Sequence, residues 1–384
     1  MKLAWLTPNL HPSGGPRMAM ELGAEMAARG HDFSIYIPSG RCRMPVKPGV
    51  RVVECGWAVK NPLTAIAAAL ASMPKLIDRP EIILASMPPY ALLAEKIGRD
   101  KHIPVVNYMQ GDDFKIFDDG TYIKNPVLLY FYHRVAQRSF KIADIWVNSH
   151  WTGVQLLKHS GRKPTAILSG GFNPACFYPS SSTKTTMDGP IRLVTIGRKP
   201  RAKGLEDVIE ALNLLNPVSG GRTFSPPLSG GTPDLREILT KPFILKVITQ
   251  DDLDLSAARF PVEVVKPRDD MELGECYRSG DIFVNASWRE GFGLTLLEAL
   301  ACGLAVVTTN CGGVREFVQP EVNALMVPPR EPNTLAKAVA RAIEDDALRR
   351  RLAQRGLETT GDFTWARAAE RFEALVIQTV AEFH

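Results

Sequence analysis

Short runs rich in Val, Ile and Leu alternate with longer stretches of helical periodicity through the first 180 residues, and the alternation restarts near residue 190. Strand–helix–strand units leave this pattern, because a parallel sheet must bury both faces under helices. Strand candidates in the first half are 3–6, 33–37, 82–85, 105–108, 145–148 and 166–168, with helical stretches at 17–29, 90–99 and 126–142. A Pro/Ser/Thr stretch at 178–189 breaks the pattern and reads as a linker. Strand candidates resume at 191–196, 244–248, 262–265, 282–285, 305–308 and 324–327. The last run, 365–383, is an amphipathic helix with Ala368, Phe372, Leu375 and Val376 at core spacing. The predicted fold class is α/β, with two doubly wound domains, and 384 residues exceed what one core usually serves. Ligands of such sheets bind at the carboxyl ends of the strands, so the crevice between two facing sheets is the expected site. The Gly/Ser/Pro-rich segment 217–240 interrupts the second half as a long loop.

The 45% hydrophobic and 23% charged fractions are those of an ordinary globular chain, which excludes a disordered or disulfide-rich protein. Charge is uneven. Residues 1–185 carry 22 Lys and Arg against 13 Asp and Glu, a net +9, and the remainder 24 against 28, a net −4. The basic half can steer toward anions such as a lipid-linked phosphate or an anionic membrane face, although a scattered excess would only aid solubility. The six cysteines show no C-x-x-C pair and no zinc spacing. The apolar start is too short for a signal peptide, and stretch 63–73, fenced by Pro62 and Pro74, is too short to span a bilayer. A cytoplasmic protein, soluble or peripheral at the inner membrane face, is the expectation. Stretch 63–73 is either membrane-facing or a core helix, and the core helix is favoured.

Three motifs carry chemistry. The first runs from Glu290 through Gly291, Phe292, Gly293, Leu294 and Thr295 to Glu298, follows a predicted strand and opens a helix. Two glycines one residue apart allow close backbone approach, and the first helical amides suit an anion. Glu298 sits among Leu296, Leu297, Ala299, Leu300 and Ala301, so an ionised carboxylate there needs partners, which ligand hydroxyls would supply. The alternative needs no ligand: Thr295, Glu298 and Cys302 form a solvent stripe. The second motif is Gly197-Arg198 followed by Lys203-Gly204, after the first strand of the second half. The third is Gly14-Gly15 between the first strand and first helix, and its lack of a G-x-G-x-x-G fingerprint argues against nicotinamide binding.

The spacing from Glu290 to Glu298 resembles the E-x7-E motif of retaining GT-B glycosyltransferases, specifically glycosyltransferase family 4. Residues Gly197 to Gly204 are similar to that family's G-R-x4-K-G motif. The resemblance implies two Rossmann-like domains facing across a cleft, with residues 1–182 binding the acceptor and 183–362 the donor. Helix 363–384 would return to the first domain. It further implies that Glu290 approaches the transferred sugar and Glu298 the ribose hydroxyls, while Arg198 and Lys203 neutralise the diphosphate. Gly14 and Gly15 would reach the same diphosphate. Backbone near Val265, Lys266 and Arg268 would select the base, which is left open, as is the oligomeric state.

Where many relatives carry a His after the fourth strand of the first half, this chain has Met109-Gln110-Gly111-Asp112-Asp113. Gln110 or Asp112 is expected in that place, and Gln110 would mark a different donor sugar such as a deoxysugar. There is no D-x-D motif after a strand and no His/carboxylate cluster with metal spacing, so neither metal nor cofactor is expected. Asp112-Asp113 and Asp118-Asp119 read as solvated loop carboxylates. The implied activity is metal-independent transfer of a sugar from a nucleotide sugar to a hydroxyl acceptor, which may be a glycan, a lipid-linked molecule or a small molecule. Nucleic acid is not an implied partner. The rivals are a nucleotide-sugar epimerase of the same fold and a non-catalytic nucleotide-sugar binding subunit.

Overall fold

The computed structural model describes residues 1–57, 62–115, 123–180, 189–215 and 239–384. Segment 217–238, most of the linker, and the Asp118-Asp119 pair lie outside the described residues. The chain divides into two compact units. Met1–Gly171 with Phe363–His384 form one, and Phe172–Asp362 the other.

The first unit is built on a seven-stranded parallel sheet of β1 (Lys2–Leu6), β2 (Asp32–Pro38), β3 (Val50–Cys55), β4 (Ile82–Ala85), β5 (Val105–Met109), β6 (Asp144–Val147) and β7 (Ala166–Ile167), in spatial order β3-β2-β1-β4-β5-β6-β7. Strands β1 and β4 are near-continuous apolar runs because both sheet faces are covered. Strand β3 escapes the sequence reading. As an edge strand it pairs only with β2, and Arg51 and Glu54 interrupt its apolar run.

The second unit repeats the topology in six parallel strands: β8 (Ile191–Ile196), β9 (Phe243–Ile248), β10 (Val262–Val265), β11 (Ile282–Asn285), β12 (Ala305–Thr309) and β13 (Ala324–Val327), ordered β10-β9-β8-β11-β12-β13. In both sheets the strand order reverses beside the first strand, at β1/β4 and at β8/β11. Loops leaving the carboxyl ends at such a point diverge to opposite faces and open a crevice.

The break between the units falls at Gly171, ahead of the Pro/Ser/Thr stretch. Residues beyond it pack into the second sheet's helices: Phe177 meets Tyr277 edge-on, and Arg278 donates to the Cys176 carbonyl at 2.8 Å. Helix Trp365–Phe383, capped by Thr364, belongs to the first unit. Its fully buried Phe372 lies among Trp5, Phe33 and Trp146, with ring centroids 6.1–6.4 Å away. The stretch around 63–73 becomes helix Pro62–Leu76, which continues past Pro74. Its Met73 is fully buried with Ile77, Tyr90 and Ala91, so this part is core.

Phe372→Ala should cost about 3–5 kcal/mol, the usual cost of emptying a buried aromatic site. Denaturant unfolding of the whole chain would show it, and a loss below about 1 kcal/mol would mean the helix is not part of the first unit's core.

Candidate functional site

In the second unit the two strongest motifs meet at the switch point. The turn after β8 carries Lys203 in a short 3-10 segment, Arg201–Lys203, and the turn after β11 carries Glu290. The Lys203 Nζ donates to Glu290 Oε1 at 2.8 Å, and the Ser287 hydroxyl lies 2.8 Å from the same oxygen. Gly204 makes the approach feasible. Its φ is +74°, and a Cβ there would sit 2.0 Å from the Ala286 carbonyl oxygen. The Glu290 turn is also tied to the turn after β12. Its amide donates to the Cys311 carbonyl at 2.7 Å and its carbonyl accepts from Gly313 at 2.9 Å. The Lys203 side chain is about two-fifths exposed, so the pair contributes at most ~1 kcal/mol to stability. Its significance is positional: a cation and a carboxylate are held ready at the mouth of a crevice.

Glu298 is 1% exposed, and the Tyr277 hydroxyl donates to its Oε2 at 3.2 Å. Cys302 is buried too, so the solvent stripe does not exist. Burial pushes the Cys302 thiol up to about 12, with smaller contributions from its neighbours, Glu298 among them. The same desolvation lifts Cys311, beside Glu290, to about 12, so neither thiol supplies a nucleophile near neutral pH. Helix Leu294–Ala301 starts at Gly293, whose φ is +98°, with no side-chain cap, so Leu294 and Thr295 stand at its positive end. Phe292 departs from expectation. Its ring is buried against Phe317, leaving only backbone for a ligand.

Arg198 Nε lies 3.3 Å from Asp251 Oδ2 rather than beside Glu290. Val265 ends the edge strand β10, which β9 separates from β8, and Lys266 and Arg268 follow it. The Val265 carbonyl accepts from the Thr249 amide, Lys266 pairs with Asp252, and Arg268 forks onto Glu272. The Lys266 and Arg268 side chains are thus occupied by local acids. Trp288, which the sequence reading passed over, donates to Asp207 at 2.7 Å, and the guanidinium of Arg330 lies 4.1 Å over its ring.

In the first unit Gly14 and Gly15 are already the first residues of helix Gly14–Ala28, not a free loop. A Cβ on Gly15 would meet Gln110 Oε1 at 2.9 Å. The Gln110 amide is oriented by Ser86, whose hydroxyl accepts from Gln110 Nε2 at 3.0 Å and from Trp5 Nε1 at 2.9 Å. Its Oε1 is a buried acceptor with no hydrogen-bond partner among the described residues, turned toward the helix start. Asp112 and Asp113 are buried, not solvated as expected. Asp112 Oδ1 lies 3.3 Å from His159 Nε2, and Phe114 is stacked between His133 and His159 at 4.3 and 4.5 Å. Among the described residues no group of three His, Cys, Asp or Glu is disposed to hold a metal.

Both halves of the chain match glycosyltransferase family models. The description "Glycosyl transferases group 1" matches residues 259–359, a span that holds Glu290 and Glu298, and "Glycosyl transferase 4-like domain" matches residues 13–168. The chain belongs to this glycosyltransferase family. A curated relative, the D-inositol 3-phosphate glycosyltransferase of Corynebacterium diphtheriae, is 26% identical over 61% of this chain. The match spans 56% of that relative's own length. Among solved structures, the sucrose-phosphate synthase of Thermosynechococcus elongatus has a TM-score of 0.79 at 18% identity, with 99% of each chain covered. Anabaena Alr3699/HepE in complex with UDP-glucose has a TM-score of 0.72 at 16% identity, covering 100% of both chains. These neighbours share the GT-B fold of two Rossmann-like domains.

The turn that follows Gln110 holds a carboxyl far from its ordinary charge state. Burial pushes the Asp113 carboxyl up to about 8, with the Asp112 charge adding to the effect. A carboxyl whose folded value is raised binds its proton more tightly folded than unfolded. Stability therefore falls as pH rises from about 4, the unfolded value, toward 8. Asp113→Asn should match the parent near pH 4 and melt at progressively higher temperature than it toward pH 8. Parallel melting curves across that range would contradict the assignment.

Proposed function

We propose that this glycosyltransferase moves a sugar from a nucleoside diphosphate sugar to a hydroxyl acceptor, with retention at the anomeric carbon and without a metal ion. The observation that carries this is the Lys203–Glu290 pair, held 2.8 Å apart at the switch point of the second sheet. A diphosphate arriving at the positive end of helix Leu294–Ala301 competes for Lys203, while Ser287 retains a hold on Glu290. Arg198, poised on Asp251, adds a second cation after β8. As the bond between the anomeric carbon and the phosphate oxygen breaks, charge grows on the leaving phosphate and these cations oppose it. The acceptor oxygen bonds to the same face of the anomeric carbon, and its proton passes to the leaving phosphate oxygen. Glu290 orients the sugar, and Glu298, backed by Tyr277, takes the ribose hydroxyls.

UDP sugars are the first donors to test, because Alr3699/HepE has been seen with UDP-glucose. Inositol phosphates are the first acceptors, after the activity in the names of the curated relatives. Gln110, whose Nε2 donates to Ser86, offers its Oε1 as an acceptor to a sugar hydroxyl, so hexose and deoxysugar donors are to be compared side by side.

Lys203→Ala and Glu290→Ala should each lower turnover by roughly 10²–10³-fold with unchanged circular dichroism. EDTA should leave the parent rate intact, and the product should keep the donor's anomeric configuration by NMR. Near-normal rates in both variants would overturn the site. Sugar conversion without acceptor and without release of nucleoside diphosphate would make the protein an epimerase instead.

A further inference from the structure

Helix Pro126–Ser139 is two-faced in an unusual way. Tyr132, Ala136 and Ser139 are buried against the first unit. On the opposite arc Val127, Tyr130 and Phe131 are 59–60% exposed, while Leu128, in the first turn on the same stripe as Tyr132 and Ala136, is 49% exposed. Helical spacing puts Val127, Phe131, Arg134 and Arg138 along a single outward stripe, at i, i+4, i+7 and i+11. Tyr130 and Leu128 flank the stripe, and the Tyr130 and Phe131 rings meet edge-on at 5.8 Å.

Four exposed apolar side chains within five residues are a patch rather than the scatter of single apolar residues that any surface carries. The helix itself carries only basic charge. Residues 120–143, bracketed in sequence by Asp118-Asp119 and Asp144, contain no Asp or Glu, while Lys124, Arg134, Arg138 and Lys141 are all exposed. Apolar and aromatic groups beside cations on the same helix face are the composition of a segment that lies in a lipid–water interface: the rings enter the acyl boundary and the cations meet anionic headgroups. A second copy of this chain would have to place the same cations against themselves across a two-fold contact, which disfavours that occupant.

We propose that the outward face of helix Pro126–Ser139 is a docking surface for an anionic lipid bilayer, with Val127, Tyr130 and Phe131 inserted, Leu128 at the margin of the patch, and Lys124, Arg134, Arg138 and Lys141 on the headgroups. The assignment is independent of the catalytic reading, since it uses no residue of the donor site. It moves the membrane expectation away from stretch 63–73, part of which is core, to a helix the sequence reading treated only as scaffold.

The test is cosedimentation of the full chain with vesicles of phosphatidylcholine containing 30% phosphatidylglycerol, and with phosphatidylcholine alone. Binding should occur to the anionic vesicles and weaken with added salt. The double variant Tyr130→Ser/Phe131→Ser and the double variant Arg134→Gln/Arg138→Gln should each weaken it by about tenfold or more, with unchanged melting temperature. Absence of binding to anionic vesicles, or binding that both variants retain in full, would overturn the proposal. Self-association of the chain that the serine variant abolishes, without vesicle binding, would assign the face to a second copy and would also overturn it.

Discussion

The contact between the Lys203 ammonium and the Glu290 carboxylate joins two turns that leave neighbouring strands in opposite directions. It exists because Gly204 lacks a Cβ and lets the turn after β8 approach the Ala286 carbonyl. The remaining interactions of the second unit's crevice are arranged around it. Ser287 shares the carboxylate, the backbone of Glu290 is stitched to Cys311 and Gly313, and Thr309 donates to the Ser287 carbonyl. As a stabilising ion pair it is worth little in half-exposed surroundings. In the proposed mechanism its value is electrostatic: an incoming diphosphate claims the cation while Ser287 keeps hold of the carboxylate.

The first unit places its polar groups under a different constraint. Asp112 and Asp113 follow a buried strand, and the fold desolvates both in order to seat Phe114 between two histidines. Holding Asp113 there raises its proton affinity and couples the turn after β5 to pH. One helix further along, Pro126–Ser139 takes part in the same packing through Tyr132, whose hydroxyl donates to the Asp113 carbonyl at 2.7 Å. Its other face is aromatic and basic. Helix Pro126–Ser139 therefore holds the turn after β5 on one face and carries the proposed lipid-facing surface on the other.

Much of this was legible in the chain itself. Twelve of the thirteen strands among the described residues stand out as short apolar runs, most of them because strands buried on both faces have no alternation to blur. Strand β3 does not, because Arg51 and Glu54 break its apolar run. The motif residues Glu290, Glu298, Arg198 and Lys203 were identifiable through their resemblance to motifs of the glycosyltransferase family. The partners that define their geometry were not, because Tyr277, Ser287, Ser86 and Asp251 are ordinary residues in sequence and become relevant only through contacts across the fold.

The sequence by itself determined the two-unit α/β organisation, the strand order of candidates along the chain and the identity of the charged groups at the second sheet. Periodicity and motif spacing are local, and they survive without knowledge of packing. Only the tertiary structure decided that Lys203 meets Glu290 while Arg198 rests on Asp251, that Glu298 is buried on Tyr277, and that Asp112 and Asp113 are desolvated. It alone separated the buried stretch around Met73 from the exposed aromatics of helix Pro126–Ser139. Burial and pairing depend on which elements pack together, and residues distant in sequence settle that.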